Sequence, residues 1–274
     1  MKKVVFINFG SVQFLHRQML QLLSATYAGN ANHVHGYQPR HLKKIGFYTS
    51  RPWASSSQKG FAFWSWKPFI IRHALERLND NDLLIYSDIG RPWVRLFHHS
   101  LTSAETWLDE LGQDVMPGVY IPYTGTIENW TKATTLNHMG ATSPAILHSS
   151  PIQTSFSVWK KTPTSMDLAN EWDELSAHRH LIGDDDAQTD TPNNPAFIDH
   201  RHDQAIFSIL CHQRNLKALG SPSGQAVLPD DKNLDAWLQH QNAPEAAAYA
   251  TASIDVLSSG MKMLENTLRS CFKK

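Results

Sequence analysis

An acidic residue follows an apolar run in residues 82 to 90, which read Asp-Leu-Leu-Ile-Tyr-Ser-Asp-Ile-Gly. The run predicts a buried strand that carries Asp88 to its exposed end. In open α/β sheets ligands bind at the carboxyl ends of the strands, and a carboxylate there can hold a divalent cation against a diphosphate. An acid that merely caps a turn would give the same local pattern. The neighbouring motifs favour a ligand site.

Two lysines flank a group of aromatic residues upstream, where residues 59 to 68 read Lys-Gly-Phe-Ala-Phe-Trp-Ser-Trp-Lys-Pro. Aromatic rings can stack on the rings of a ligand, and ammonium groups can neutralise phosphates. Packing in the core would account for some of the rings. Lys59 and Lys67 are harder to bury without partners, and a diphosphate would provide them. The segment therefore predicts a phosphate-binding site, with Lys67 as its strongest member.

A third motif, His-Arg-His-Asp-Gln at residues 200 to 204, stands at the start of a predicted helix. In a first helical turn the helix dipole stabilises the charged form of Asp203. Asp203 could then stabilise positive charge at a reacting carbon or accept a proton, while Gln204 hydrogen-bonds hydroxyl groups. A metal hydrolase is another interpretation, because His-x-His on a strand places both rings on one face. His202 could equally be a histidine that only begins the helix.

Two weaker candidate segments lie between Asp88 and the motif at residues 200 to 204. Glu128, Trp130 and Lys132 place an acid, an aromatic ring and a cation on one short segment that would suit a sugar acceptor, although an ordinary amphipathic helix start fits as well. The acids at residues 184 to 186 lie in a polar loop and are expected to be solvated.

The elements that position these motifs alternate between strands and helices. Apolar runs predict strands at residues 4 to 7, 45 to 48 and 82 to 86, and helical spacing follows Val12 and Pro68. This order predicts a mainly parallel, Rossmann-type α/β sheet with helices on both faces. Further patterns predict helices at 103 to 111, 128 to 136 and 165 to 177, and strands at 118 to 121 and 152 to 158.

Two segments stand apart from this pattern. The polar residues 183 to 195 predict a loop that could act as a lid over the site. After residue 220 the composition shifts to Ser, Pro and Gly and then to Ala, which predicts a linker and a C-terminal helical tail. We therefore divide the chain into a catalytic domain at 1 to 220 and an extension at 221 to 274.

Composition limits the function classes. The 274 residues contain 25 Lys and Arg against 25 Asp and Glu, so the chain lacks the basic excess of a general nucleic-acid binder. Two distant cysteines build no disulfide framework, which favours a reducing cytoplasm. No window reaches the roughly 20 apolar residues of a membrane span, so any membrane contact is expected to be peripheral.

Together the motifs resemble GT-A-type glycosyltransferases of bacterial surface-polysaccharide clusters and some large viruses. The matching pieces occur in order between residues 45 and 212. They are Lys59-Gly60-Phe61, Trp64, Trp66-Lys67-Pro68, Asp82, Tyr86-Ser87-Asp88-Ile89-Gly90, Glu128, Trp130-Thr131-Lys132, Gln153, Glu171-Trp172, His180-Leu181-Ile182 and His200-Arg201-His202-Asp203-Gln204. Ala62 stands where other members have Gly, and Gly90 stands where many GT-A enzymes have a second acid.

The resemblance implies transfer of a sugar from a nucleotide-diphospho-sugar, with UDP-sugars favoured, to a glycan or lipid-linked acceptor in surface-polysaccharide synthesis. It implies a GT-A-like fold and a Mn²⁺ or Mg²⁺ ion held at Asp88. The donor-binding residues would be Asn8, Lys59, Trp64, Lys67, Asp88, Gly90, Gln153, His200 and Arg201. The acceptor would meet Glu128, Trp130 and Lys132, and the catalytic residues would be Asp203 and Gln204.

The Asp203-Gln204 pair is similar to a pair in some retaining GT-A enzymes, which slightly favours retention over inversion. In an inverting reaction Asp203 would act as the base. Two other classes stay open. Because the second acid is missing, the protein could be a non-catalytic nucleotide- or sugar-binding module. Because His200, His202 and Asp203 are metal-binding residue types, it could also be a metal-dependent hydrolase.

Overall fold

The computed structural model describes residues 2–89, 97, 100–120, 125–184 and 192–218, and within them the chain forms an open α/β sheet. Five strands pair in the order β2-β1-β3-β7-β4, and a separate pair consists of β5 and β6. The strands are β1 Val4–Phe9, β2 His33–Tyr37, β3 Leu83–Ser87, β4 Val115–Met116, β5 Val119–Tyr120, β6 Ile152–Gln153 and β7 Phe156–Lys160.

The main sheet is mostly parallel, as the alternating pattern predicts. Strand β1 pairs in parallel with both β2 and β3. Strand β7 runs antiparallel to β3 and to β4, so β4 points the same way as the first three strands. Carboxyl ends of β1, β2 and β3 therefore meet at one edge, where ligands of open α/β sheets bind.

Helices cover both faces of this sheet. They are α1 Leu15–Tyr27, α2 Pro39–Lys44, α3 Phe47–Ser50, α4 Gly60–Phe63, α5 Trp66–Leu75, α6 Ala104–Leu111, α7 Ile127–Trp130, α8 Ala133–His138, α9 Pro144–Leu147, α10 Pro163–Ala177, α11 Arg179–Ile182 and α12 His202–Gln213. Helices α5, α10 and α12 pack on one face, and α1 and α6 pack on the other. The predicted helices after Val12, after Pro68, at 103 to 111, at 165 to 177 and from Asp203 are confirmed.

Three predicted elements were wrong in detail. The second strand is β2 and not residues 45 to 48, which overlap the start of α3. Strand β2 carries polar residues and His33 is exposed, because an edge strand needs only its backbone hydrogen bonds to β1 and not an apolar run. The predicted helix at 128 to 136 is divided into α7 and α8. The predicted strand at 152 to 158 breaks into β6 and β7, which belong to different sheets.

Other predictions lie outside the described residues. These are the helical tail at 221 to 274, Gly90, and most of the lid segment, because residues 185 to 191 are not described. Within the described residues, no helix combines the length and apolar character needed to cross a membrane.

Candidate functional site

A buried ammonium group joins two acids at the carboxyl edge of the sheet. Lys67 Nζ lies 3.0 Å from Asp203 Oδ2 and 3.6 Å from Asp88 Oδ2. The Lys67 and Asp203 side chains are 4% and 6% exposed, whereas Asp88 is 25% exposed. The three residues that the sequence motifs single out separately thus form one cluster, which we call the Asp-Lys-Asp cluster.

Three different elements hold this cluster in place. Lys67 lies in the first turn of α5, Asp88 directly follows β3, and Asp203 lies in the first turn of α12. The Asp88 backbone N–H donates to the Ser155 carbonyl at 2.8 Å, and the Tyr86 hydroxyl donates to Asp88 Oδ1. The cluster is therefore fixed by sheet and helix backbones and not by a free loop.

Asp203 has two further partners. The Thr154 hydroxyl lies 3.2 Å from Asp203 Oδ2, and Lys67 Nζ donates to that same hydroxyl at 3.2 Å. Trp172 Nε1 donates to the Asp203 backbone carbonyl at 3.1 Å, and its ring stacks on Phe207 of α12. These contacts leave the Asp203 carboxylate little freedom to rotate.

Burial and charge act against each other in the cluster. Burial lowers the pKa of Lys67, but Asp203 and Asp88 raise it, so that the pKa lies above its usual value. Burial raises the pKa of Asp203, and the attraction of Lys67 only partly offsets this. The ammonium therefore stays charged and supplies the compensation that a buried carboxylate requires.

Two cavities meet at Asp88 and Trp64. The first encloses about 270 Å³ and is polar; its walls include Lys59, Lys67, Gln153, Thr154, Arg201, Asp203 and Gln204. The second encloses about 1050 Å³ at the end of β1; its walls include Phe9, Val12, Phe14, Phe61, Trp66 and Ile89. Small-molecule sites usually enclose about 300–1,000 Å³, so the first cavity is slightly smaller than this range and the second is slightly larger. Asp88 lies on the border of both, so a ligand that occupies both cavities passes this carboxylate.

A left-handed turn builds the aromatic wall between these cavities. Gly60, Phe61, Ala62, Phe63 and Trp64 all have φ between 50° and 58°. A side chain on Gly60 would begin 2.3 Å from the Trp64 ring, so only glycine fits there. The other four residues adopt a conformation that costs roughly 1–2 kcal/mol each for residues with a Cβ atom. Such strain often accompanies functional sites, and here the turn presents Phe61 and Trp64 to the cavities.

Most of the sequence-predicted donor residues line the polar cavity. Lys59, Trp64, Gln153 and Arg201 all lie in its wall with the Asp-Lys-Asp cluster. Lys59 Nζ faces Asp184 and Asp199 at 3.7 and 3.8 Å. The Arg201 guanidinium lies over the Trp130 ring, 4.1 Å from its centroid. Gly90 lies outside the described residues.

Asn8 and His200 are more deeply placed than the sequence pattern indicates. Asn8 is fully buried and exchanges hydrogen bonds with Gln18 and Gln21 beneath the cleft. His200 belongs to the cavity wall, but it is 2% exposed and its Nε2 atom lies 2.8 Å from the Leu181 carbonyl. Burial lowers the pKa of His200 well below its usual value, so this ring is neutral and donates to the backbone.

The three predicted acceptor residues do not form one surface. Lys132 is 1% exposed, and its Nζ atom donates to the Gly183 carbonyl at 2.6 Å. Glu128 accepts a hydrogen bond from Asn194 Nδ2 at 2.8 Å, and Trp130 supports Arg201. Trp130 contacts Arg201, and the Lys132 backbone N–H donates to His200 Nδ1 at 3.5 Å, so both residues contact the wall of the polar cavity from behind.

Sequence reasoning missed two members of the site. The pattern predicts one strand at 152 to 158 and gives Thr154 no role, yet the chain bends between β6 and β7 and turns the Thr154 hydroxyl toward Lys67. Tyr86 was treated as an apolar strand residue, although its hydroxyl binds Asp88. The signal available in the sequence was the hydroxyl group that each of these two residues carries among apolar neighbours, since a buried hydroxyl requires a partner.

Within the Asp-Lys-Asp cluster, Asp88 is the acid that can accept a divalent cation. The space between Asp88 and Asp203 contains Lys67 Nζ, so the two carboxylates cannot share a cation there. Asp88 is partly exposed toward both cavities and can offer carboxylate oxygen, the ligand that Mg²⁺ and Mn²⁺ prefer. Among the described residues no group of three or more His, Cys, Asp or Glu side chains could hold a metal ion. The remaining ligands would have to come from water and from a bound diphosphate.

Comparison with known proteins adds no assignment. No protein-family model matches the chain, and no curated protein is significantly similar to it. The motifs and the geometry of the cleft are therefore the features that indicate a function.

Proposed function

We propose that the protein is a glycosyltransferase that takes a sugar from a nucleotide-diphospho-sugar. The observation that carries the proposal is the position of Asp88, which lies between a large aromatic cavity and a small polar cavity. A nucleoside suits the first, because its base can stack on aromatic rings. A sugar suits the second, because its hydroxyls can meet carboxylates, amides and hydroxyls. The diphosphate would then pass Asp88.

The charges of the polar cavity explain why a cation would be needed. Lys59, Lys67 and Arg201 stand against Asp88, Asp199 and Asp203, so these side chains carry no excess of positive charge. A diphosphate is strongly anionic and requires compensation when it leaves water. A Mn²⁺ or Mg²⁺ ion held by Asp88 would supply it and would stabilise the leaving diphosphate as a Lewis acid. Lys67 meanwhile keeps Asp88 in one orientation.

Asp203 and Gln204 would serve the sugar. Lys67 and Thr154 both contact Asp203 Oδ2, so the carboxylate is held in one orientation in the wall of the polar cavity. In this position it would stabilise positive charge at the reacting sugar carbon. Gln204 lines the same cavity and can hydrogen-bond sugar hydroxyls. These contacts support retention of configuration, and a free base on the opposite face would be required for inversion.

The hydrolase alternative receives no support from the histidines. His200 Nε2 and His202 Nδ1 each lie 2.8 Å from a backbone carbonyl, of Leu181 and Ile182 respectively. His202 Nε2 faces Asp184 Oδ1 at 3.5 Å without a hydrogen bond. The two rings therefore do not direct a pair of nitrogens toward one metal position.

Thermal denaturation with nucleotide-sugars tests the proposal. UDP-, GDP- and dTDP-sugars are added to the full chain with Mn²⁺ or with a chelator. A ligand at about 100 times its Kd stabilises the folded state by roughly 2.7 kcal/mol, which corresponds to a rise in Tm of several degrees. We expect the largest rise with a UDP-sugar and Mn²⁺. The proposal is wrong if no nucleotide-sugar raises Tm in either condition.

A matched pair of variants locates the binding. Asp88→Asn removes the carboxylate at the border of the cavities, and Asp109→Asn removes one that is 64% exposed and outside both. We expect Asp88→Asn to lose the part of the Tm rise that depends on Mn²⁺ and Asp109→Asn to keep it. NMR of the product then reports the anomeric configuration. Binding without any turnover would favour the non-catalytic module.

A further inference from the structure

Helix α1 presents a row of apolar residues to solvent, while its buried side combines Leu20 and Ala25 with the polar Gln18 and Gln21. Leu15, Met19 and Leu23 are 40%, 44% and 38% exposed, and Tyr27 is 79% exposed. Val12, just before the helix, is 87% exposed. A surface helix normally buries its apolar side, and spacings of three or four residues align these side chains in one row. We call this row of Val12, Leu15, Met19, Leu23 and Tyr27 the α1 stripe.

The buried side of α1 explains why the stripe points outward. Gln18 and Gln21 are 1% and 0% exposed and belong to the network with Asn8. Gln21 Nε2 also donates to Ser87 Oγ at 3.1 Å and to the Asp88 carbonyl at 3.2 Å. Rotation of the helix to hide the stripe would leave these buried amides unpaired, which is costly. The orientation of α1 is therefore fixed by the polar network that supports the cleft.

The charge distribution matches the stripe. Residues 1 to 75 contain ten Lys and Arg and no Asp or Glu, although the whole chain is neutral. Arg40, Lys43 and Lys44 are exposed on α2, whose first residue Pro39 shares the aromatic cavity wall with Val12. Helix α1 adds His16 and Arg17 and has no acid. Exposed apolar residues beside a basic segment whose own sequence contains no acid are complementary to anionic lipid.

We propose that the α1 stripe binds the surface of an anionic lipid bilayer. The apolar row would enter the boundary between headgroups and acyl chains, and the basic residues around it would meet lipid phosphates. Val12 belongs both to the stripe and to the wall of the aromatic cavity, so binding would place the mouth of that cavity at the membrane. The inference does not rest on the proposed function, because it concerns a surface and not the reaction.

Sedimentation with vesicles tests the proposal on the full chain. Vesicles of phosphatidylcholine with phosphatidylglycerol are compared with vesicles of phosphatidylcholine alone. The variant Met19→Ser/Leu23→Ser removes two members of the stripe, and Ile198→Ser removes an apolar side chain that is 63% exposed elsewhere. We expect the double variant to bind anionic vesicles about tenfold or more weakly than the wild type, since binding follows buried apolar area. Ile198→Ser should bind as the wild type does.

Salt and amide exchange make the test specific. Binding should weaken as NaCl is raised, because salt screens the basic residues. Amides of α1 should exchange more slowly on vesicles than in solution, and circular dichroism shows whether the double variant is folded. The proposal is overturned if the wild type does not bind anionic vesicles, or if the folded double variant binds them as tightly as the wild type does. If residues 219 to 274 or a second copy of the chain covers the stripe, the wild type will not bind the vesicles. In that case the double variant should have a lower stability than the wild type, or light scattering should give it a different molecular mass.

Discussion

Replacement of Lys67 by methionine should lower the free energy of unfolding, because Asp88 and Asp203 share its ammonium group as a partner. Lys67→Met keeps most of the apolar stem and removes the ammonium, so Asp203 keeps its buried position without its main partner. Removal of one partner of a buried ion pair costs about 3–5 kcal/mol. Asp203 accounts for most of this cost because it is 6% exposed, whereas Asp88 is 25% exposed and can be partly solvated. Domains usually have about 5–15 kcal/mol of stability, so the variant folds if the wild type has more than about 5 kcal/mol.

The pH dependence of the Lys67→Met effect has a definite sign. Burial raises the pKa of Asp203 and Lys67 lowers it, so the pKa rises further in the variant. An acid whose folded pKa is raised destabilises the protein as pH increases through that pKa, because the unfolded chain ionises first. The loss of stability should therefore be largest at neutral pH and should shrink in acid, where Asp203 takes up a proton.

Urea denaturation followed by tryptophan fluorescence measures these differences. Lys59→Met is the matched control, because Lys59 is 48% exposed and its acids lie at 3.7 and 3.8 Å, so its loss should cost less than about 1 kcal/mol. The double variant Lys67→Met/Asp203→Asn removes both charges and should recover part of the stability. The reasoning is refuted if Lys67→Met costs as little as Lys59→Met, if its cost is independent of pH, or if the double variant equals the sum of the single ones.

Three other regions give independent predictions. Ala62→Gly should leave the free energy of unfolding unchanged or raise it by up to about 1 kcal/mol, because Ala62 has φ 58°. Ala74→Gly in α5 should instead lower the free energy of unfolding by about 1 kcal/mol. Urea denaturation of both variants measures this difference. Burial, with help from nearby arginines, lowers the pKa of His73 to about 4, so its NMR titration should have its midpoint there. The stability that neutral His73 contributes should be complete above about pH 6.5 and be lost as pH falls toward 4, and a His73→Asn variant should show a flatter profile. Burial raises the pKa of the Cys211 thiol well above its usual value, so in a Cys271→Ser chain a thiol reagent should react with Cys211 only after unfolding.

The helices and strands that carry the chemistry follow from local patterns. Apolar runs at the start of the chain and before Asp88 predict β1 and β3, and their carboxyl ends do meet at one edge. The helix that begins near Asp203 also follows from its buried row. Strand β2 was not predicted, because an edge strand is stabilised by backbone hydrogen bonds to its neighbour, and residue types indicate such bonds only weakly.

Which residues meet was decided by tertiary structure. The sequence by itself determined that Lys67, Asp88 and Asp203 each stand at the start of a helix or the end of a strand, because the apolar periodicity around them is local. Lys67 and Asp203 are separated by more than a hundred residues, and only the packing of α5 and α12 against one face of the sheet brings Nζ to 3.0 Å from the carboxylate. The same packing separated Lys132 and Asn8 from the cleft surface, since a polar side chain enters the interior wherever a carbonyl or amide is positioned to bind it.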